Sequence, residues 1–270
     1  MVNMDIVKQL RDETGVAIMQ CKKALEEVGG DIEKAKVILR KVSAQAAAKK
    51  ADRTLGAGAV QAAVAADKKS VAAVVLACET DFVARNPEFI AVAKAIAEKA
   101  ITEQNGNLAE HPDVVQMVND AVQKFGEKTQ VAQVVFTQGA VVNAYVHSNN
   151  TVAAVVALQT TATGDALQSL AYDIAMHTAA MAPKFVSREQ VQESDITAAK
   201  AIFEEEAAGK PAEMKEKIVA GKIEAYLKEK VLLEQPFVKS GEQTIKKVVE
   251  TASAAAGAPI QIVMAERLSV

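Results

Sequence analysis

Apolar and polar residues follow three different rhythms along the chain. The first covers residues 1 to 52. There DIVKQLRDETG predicts a short amphipathic helix ended by Gly15, and VAIMQCKKALEEVGG a second helix ended by Gly29 and Gly30. Asp31 is a fitting N-cap for DIEKAKVILRKVSAQ, where Ile32, Ala35, Ile38 and Leu39 keep one helical face. Three such helices close only a small core. AAAKKADRTLGAG then reads as a helix tail and linker.

The second rhythm is a repeat. GAVQAAVAADKKSVAAVVLA begins at Gly58 and GAVVNAYVHSNNTVAAVVAL at Gly139, a gapless match at a spacing of 81 residues. In each copy two apolar runs flank a polar turn, DKKS or HSNNT, which predicts a β-hairpin. A helix follows each time. Val92, Ala93, Ile96 and Ala97 match Leu170, Ala171, Ile174 and Ala175, but at a spacing of 78. The first copy therefore carries three extra residues between strand and helix, and they fall in TDFVARN. Two such units predict an α+β fold with two related antiparallel subdomains, residues 53–138 and 139–187. Between the copies, ITEQNGNLAEHPDVVQMVNDAVQKFGEKTQV predicts a loop and a helix, and AQVVFTQGA a strand.

The third rhythm is charged. Residues 188–231 carry sparse apolar positions at helical spacing, interrupted by Gly209, Lys210 and Pro211. This predicts a projecting helical hairpin with a thin seam of Ile196, Ile202, Phe203, Met214, Ile218 and Tyr226, and with Pro211 opening its second helix. Residues 232–270 predict a return to the second subdomain by a loop, a helix and a final strand, APIQIVMAERLSV.

Composition narrows the function. The 270 residues carry a formal charge of −3 with both signs interspersed and no basic stripe, which argues against nucleic acid as the primary partner. No run approaches a membrane span, and MVNMDIVKQLRDE lacks the apolar core of a signal peptide. Cys21 and Cys78 lie far apart without metal spacing and read as buried thiols. These features predict a cytoplasmic protein. No phosphate-cradling glycine loop, zinc motif or redox pair occurs, and His111, His147 and His177 are scattered. No cofactor and no chemical catalysis is expected.

Surfaces remain. TDFVARN combines an acid, an aromatic and a base where the repeat shows an insertion. Two readings stand side by side. Phe82 is a contact anchor held out by a rigid scaffold, or it tucks under its own loop while Asp81 caps the helix beginning near Pro87. His177 occupies the helix of the second copy where the first has Lys99, a place that suits a surface or core-edge residue. In the N-terminal region Arg11, Ile18 and Met19 cluster around one turn. Ile18 and Met19 are adjacent, so one of them is expected to face outward.

Several of these segments resemble one family. VKQLRDETGVAIMQCKKALEE with GGDIEKAKVILR is similar to the N-terminal ubiquitin-associated-like module of bacterial translation elongation factor Ts. TDFVARN, IAMHTAAMAP, GKPAEMKEKIVAGKIEAY and EQPFVKSGEQTIKKVV resemble further motifs of that family, in order. The resemblance implies a guanine nucleotide exchange factor whose partner is GDP-bound elongation factor Tu. It implies that Arg11, Ile18 and Met19 hold the partner's G domain. Thr80, Asp81, Phe82 and Val83 would intrude beside its nucleotide and disturb the bound Mg2+, and His177 would insert at a second point. It also implies that the charged hairpin is a coiled coil. Two other classes remain open beside it: a passive binding adaptor built on the N-terminal helices, and a metabolic enzyme on an α+β scaffold.

Overall fold

The computed structural model describes residues 2–270. Its first three helices are α1 (Met4–Thr14), α2 (Ile18–Glu27) and α3 (Ile32–Ala48). Asn3 caps α1 by accepting from the Asp5 N–H, and Gly15 ends it in the left-handed region at φ 67°. Asp31 caps α3 by accepting from the Lys34 N–H, as the sequence predicts. Val7, Leu10, Cys21, Leu25, Ala35 and Leu39 close a small core of their own.

The chain continues through β1 (Ala57–Val64), β2 (Ser70–Cys78), a four-residue α4 (Asp81–Ala84), α5 (Pro87–Glu103), α6 (Pro112–Phe125) and β3 (Thr129–Gln138). The second copy supplies β4 (Val141–Val146), β5 (Val152–Gln159) and α7 (Asp165–Met181). After it come α8 (Glu193–Glu206), α9 (Ala212–Lys230), α10 (Ile245–Ala256) and β6 (Gln261–Ser269). The strands make two antiparallel three-stranded sheets, β1-β2-β3 and β4-β5-β6. The final strand completes the second sheet, as expected.

The central strands explain the layering. Every residue of β2 is buried, and β5 is buried from Ala153 to Leu158. Successive side chains of a strand point to opposite faces, so a strand buried on both faces reads as a continuous apolar run. One face of β2, with Ala72, Val74, Leu76 and Cys78, packs on Phe89, Ala93 and Ile96 of α5. The other, with Val71, Ala73 and Val75, packs on Ala153, Val155 and Ala157 of β5. Val156 and Leu158 in turn face Ile174 of α7 and Ile245 of α10. The order of layers is helix, sheet, sheet, helix. Burying Phe89 fully contributes about 1.5–3 kcal/mol to this packing.

The two copies grip each other in equivalent ways. Lys68 and Asn150, the left-handed residues of the two hairpin turns, each offer a carbonyl to the opposite sheet. Val142 N–H donates to Lys68 O at 3.1 Å, and Val60 N–H to Asn150 O at 2.7 Å. Gly58 and Gly139 open the repeat for a steric reason. A Cβ on Gly58 would stand 2.6 Å from the Leu76 carbonyl oxygen, and one on Gly139 would stand 2.9 Å from that of Leu158.

The charged segment forms two paired helices, and the predicted seam holds in part: Ile196, Phe203, Ile218 and Tyr226 are partly buried. Phe203 meets Tyr226 edge to face with centroids 6.4 Å apart, and Ala207, Val219 and Leu227 are buried. Ile202 and Met214 instead point to solvent, 56% and 53% exposed. Pro211 is the N-cap of α9 rather than its first helical residue. At the root, Lys184 and Phe185 N–H groups donate to Lys230 O, and Arg188 pairs with Glu224 and Glu234.

Candidate functional site

TDFVARN is a short helix rather than an open loop. Thr80 caps α4, and Asn86 separately caps α5 by accepting from the Glu88 N–H at 2.9 Å. Pro87 takes the first position of α5, where its missing N–H costs nothing. Asp81 therefore does not cap the helix beginning at Pro87. Its carboxylate pairs with Arg85 one turn on, at 3.1 Å. Phe82 does not tuck under its own segment either. Its side chain stands 85% exposed, the most exposed large apolar residue among those described. Val83, half-buried, packs against the α5–β2 core and fixes the opposite side of the turn. Four residues thus divide their labour by direction: Thr80 caps, Val83 anchors, Asp81 and Phe82 project.

The base of α4 is clasped by a residue that sequence reading missed. Glu127, between the left-handed Gly126 that ends α6 and the start of β3, accepts from the Glu79 N–H at 3.1 Å and the Thr80 N–H at 3.0 Å. It also accepts from the Thr80 hydroxyl at 2.6 Å. Glu79 answers by accepting from the Lys128 N–H and from Arg53 at 3.1 Å. Charge-assisted bonds of this kind are shorter and stronger than neutral ones. They stiffen the start of α4, so Phe82 projects from a fixed platform. Nothing local in FGEKTQV marks Glu127, because its partners lie nearly fifty residues earlier.

In the N-terminal helices Arg11, Ile18 and Met19 are all exposed. One of the adjacent pair is expected to face outward, and both do: Ile18 is 38% exposed and Met19 70%. Ile18 is the first residue of α2, so neither side chain yet has a preceding turn to pack on. The inward position of this turn belongs to Cys21, whose thiol donates to Val16 O at 3.5 Å.

His177 differs most from expectation. It is a core residue with no exposed surface, not a surface or core-edge one. Its Nδ1 accepts from the Val238 N–H at 3.2 Å, which leaves Nε2 to donate to Gln235 Oε1 at 2.9 Å. Gln235, itself buried, donates onward to Glu229 O and Met181 O. Burial pushes the His177 pKa down, against the pull of the Gln235 hydrogen bond. Insertion of this ring into a partner would require the Gln235–Val238 segment to lift. Val238 itself is exposed above the ring, as is Met181 at the end of α7.

Both cysteines are buried free thiols. Burial, helped by the Glu127 charge, pushes the Cys78 pKa up to about 11. Among the described residues no helix is long and apolar enough to cross a membrane.

Residues 79–270 match the family described as Elongation factor TS. Elongation factor Ts of Cellvibrio japonicus is 40% identical over 269 residues, covering 98% of this chain and 91% of the relative. That of Teredinibacter turnerae is 41% identical over 255 residues, covering 92% and 86%. That of Arthrospira platensis is 41% identical over 249 residues, covering 88% and 98%. With α4, its clasp and the whole second sheet inside the matched residues, and with relatives of 40–41% identity over most of its length, this chain belongs to the elongation factor Ts family.

Proposed function

We propose that this protein is a guanine nucleotide exchange factor acting in the cytoplasm. It binds GDP-bound elongation factor Tu, disturbs the Mg2+ and phosphate site of that partner, and promotes GDP release during translation elongation. The observation that carries this is Phe82, an aromatic side chain held 85% in solvent on a clasped four-residue helix. An exposed aromatic on a rigid platform is a burial reserve: covering it contributes about 1.5–3 kcal/mol to whichever state of the partner receives it. If that state has a displaced Mg2+, the ion no longer neutralises the phosphates and nucleotide binding weakens. Linkage makes the effect reciprocal, so nucleotide weakens the factor as strongly as the factor weakens nucleotide.

Asp81 fits the same role. Its pairing with Arg85 is exposed, and such pairs contribute only about 0–1 kcal/mol, so the carboxylate is readily exchanged to a new partner. Arg11, Ile18 and Met19 offer a second contact area on the partner's G domain. The buried ring of His177 acts from beneath the surface, holding the backbone that presents Val238. No bond is made or broken, and no cofactor is required. The Mg2+ and the nucleotide belong to the partner. Nucleic acid and membrane have no part in the exchange.

The test is to load elongation factor Tu with a fluorescent GDP analogue and add this protein with excess unlabelled nucleotide. Release should accelerate in proportion to the factor added until it saturates. A release rate indifferent to the factor refutes the proposal.

A further inference from the structure

The two exposed apolar projections, Ile18 with Met19 and Phe82, are carried by helices whose other residues pack into separate hydrophobic cores that share no residue. Yet both are tied to the last turn of α6. Gln123 donates to the Gln20 Oε1 at 2.7 Å, directly beside Met19. Ser43 of α3, fully buried, lies against Gln123 and stands 3.2 Å from Asp120. Lys124 pairs with Glu88 at 2.9 Å, two residues beyond the Asn86 cap that follows α4. The same Lys124 side chain crosses the α1–α2 turn: a Cβ on Gly15 would sit 3.3 Å from its Nζ. Gly15 is left-handed there, and its missing side chain leaves the lysine room to lie close over the turn.

Positions 120, 123 and 124 share one helical face. That face holds the α2 projection on one side and the root of the α4 projection on the other, through polar contacts. We infer that α6 sets the spacing between the two projections, making them one two-point surface for a single protein partner. Gln123 and Lys124 are its positioning residues. The inference rests on the exchange function proposed above and extends it. A rigid spacing turns the second contact into an intramolecular event with a high effective concentration. A loosened joint lowers that concentration but leaves the bound arrangement at the nucleotide unchanged. Exposed polar contacts are individually weak, so surface substitutions can loosen the joint without unfolding either core.

The experiment uses full-length protein titrated into elongation factor Tu carrying fluorescent GDP. For the double variant Gln123→Ala/Lys124→Ala, the half-saturating concentration should rise about tenfold while the maximal release rate stays at the wild-type value. In a Met19→Ala background the same double substitution should add less than about twofold, because the spacing no longer serves a second contact. An unchanged half-saturation overturns the inference, and so does a full loss in the Met19→Ala background or a fall confined to the maximal rate. If the wild-type protein leaves the GDP release rate unchanged, the exchange function itself fails; if Met19→Ala and Phe82→Ala each behave like wild type, the two projections are not contacts and the inference is overturned. If both single variants are impaired while Gln123→Ala/Lys124→Ala matches wild type, the spacing alone is overturned.

Discussion

Replacing His177 with alanine removes the acceptor of the Val238 N–H and the donor to Gln235 Oε1. The two losses are unequal. Gln235 is 1% exposed, so its orphaned oxygen bears the full desolvation cost of a buried polar atom, about 1–3 kcal/mol. Val238 is exposed, and water can reach its N–H, so that loss falls at the low end of the same range. Adding the void left by the ring, the expected destabilisation is about 2–4 kcal/mol. Urea unfolding should show it as a lower midpoint with an unchanged slope. Gln235→Ala should cost less in the His177→Ala background than alone, with a coupling of about 1–3 kcal/mol. The pH dependence follows from the same geometry. Burial disfavours the charged ring and holds its pKa below the ordinary 6.5, and Nδ1 accepts a hydrogen bond from the Val238 N–H. The unfolded chain takes up the proton first. Native stability from this group is therefore complete above about pH 6.5 and declines as pH falls from there through the folded value. His177→Ala should lack that component. A loss below about 1 kcal/mol, or identical pH profiles for both proteins, refutes the buried-latch assignment.

Other outcomes follow from particular atoms. Glu127→Gln places an amide against three donors at Glu79 and Thr80. It should lower the maximal GDP release rate about tenfold by letting α4 drift, measured at saturating factor. Gly58→Ala should lower stability by about 1–3 kcal/mol in urea unfolding, because its Cβ meets a backbone oxygen at 2.6 Å. Gly221→Ala, in the interior of α9 with open space around it, should raise stability by about 0.5–1 kcal/mol in the same assay. Cys78, with its pKa near 11, should resist a thiol-specific disulfide reagent in the native protein and react promptly once urea unfolds it.

The repeat made much of the fold legible. The 81-residue spacing marked both hairpins, and the 78-residue spacing of the helices located the insertion that became α4. Caps such as Asp31 could be read because their chemistry is local. Long-range pairings could not. The continuous apolar runs of β2 and β5 implied burial on both faces, but not that each sheet covers the other. Ile202 and Met214 had helical spacing, yet a two-helix seam is narrow and left them outside it. His177 lay on a helix with an apolar neighbourhood, and only the return of Gln235 and Val238 from another segment buried it. At the site, the projection of Phe82 hinged on the same kind of information. Pattern allowed it to tuck in or stand out, and the Asn86 cap with the Glu127 clasp decided the geometry.

The most direct measurement of the account is stopped-flow release of fluorescent GDP from elongation factor Tu at saturating Phe82→Ala. Losing about 1.5–3 kcal/mol of burial available only in the Mg2+-displaced state should slow maximal release roughly 10- to 150-fold, with a smaller change in the concentration needed for half-saturation. A maximal rate equal to wild type, with or without weaker binding, would contradict the claim that Phe82 drives nucleotide release.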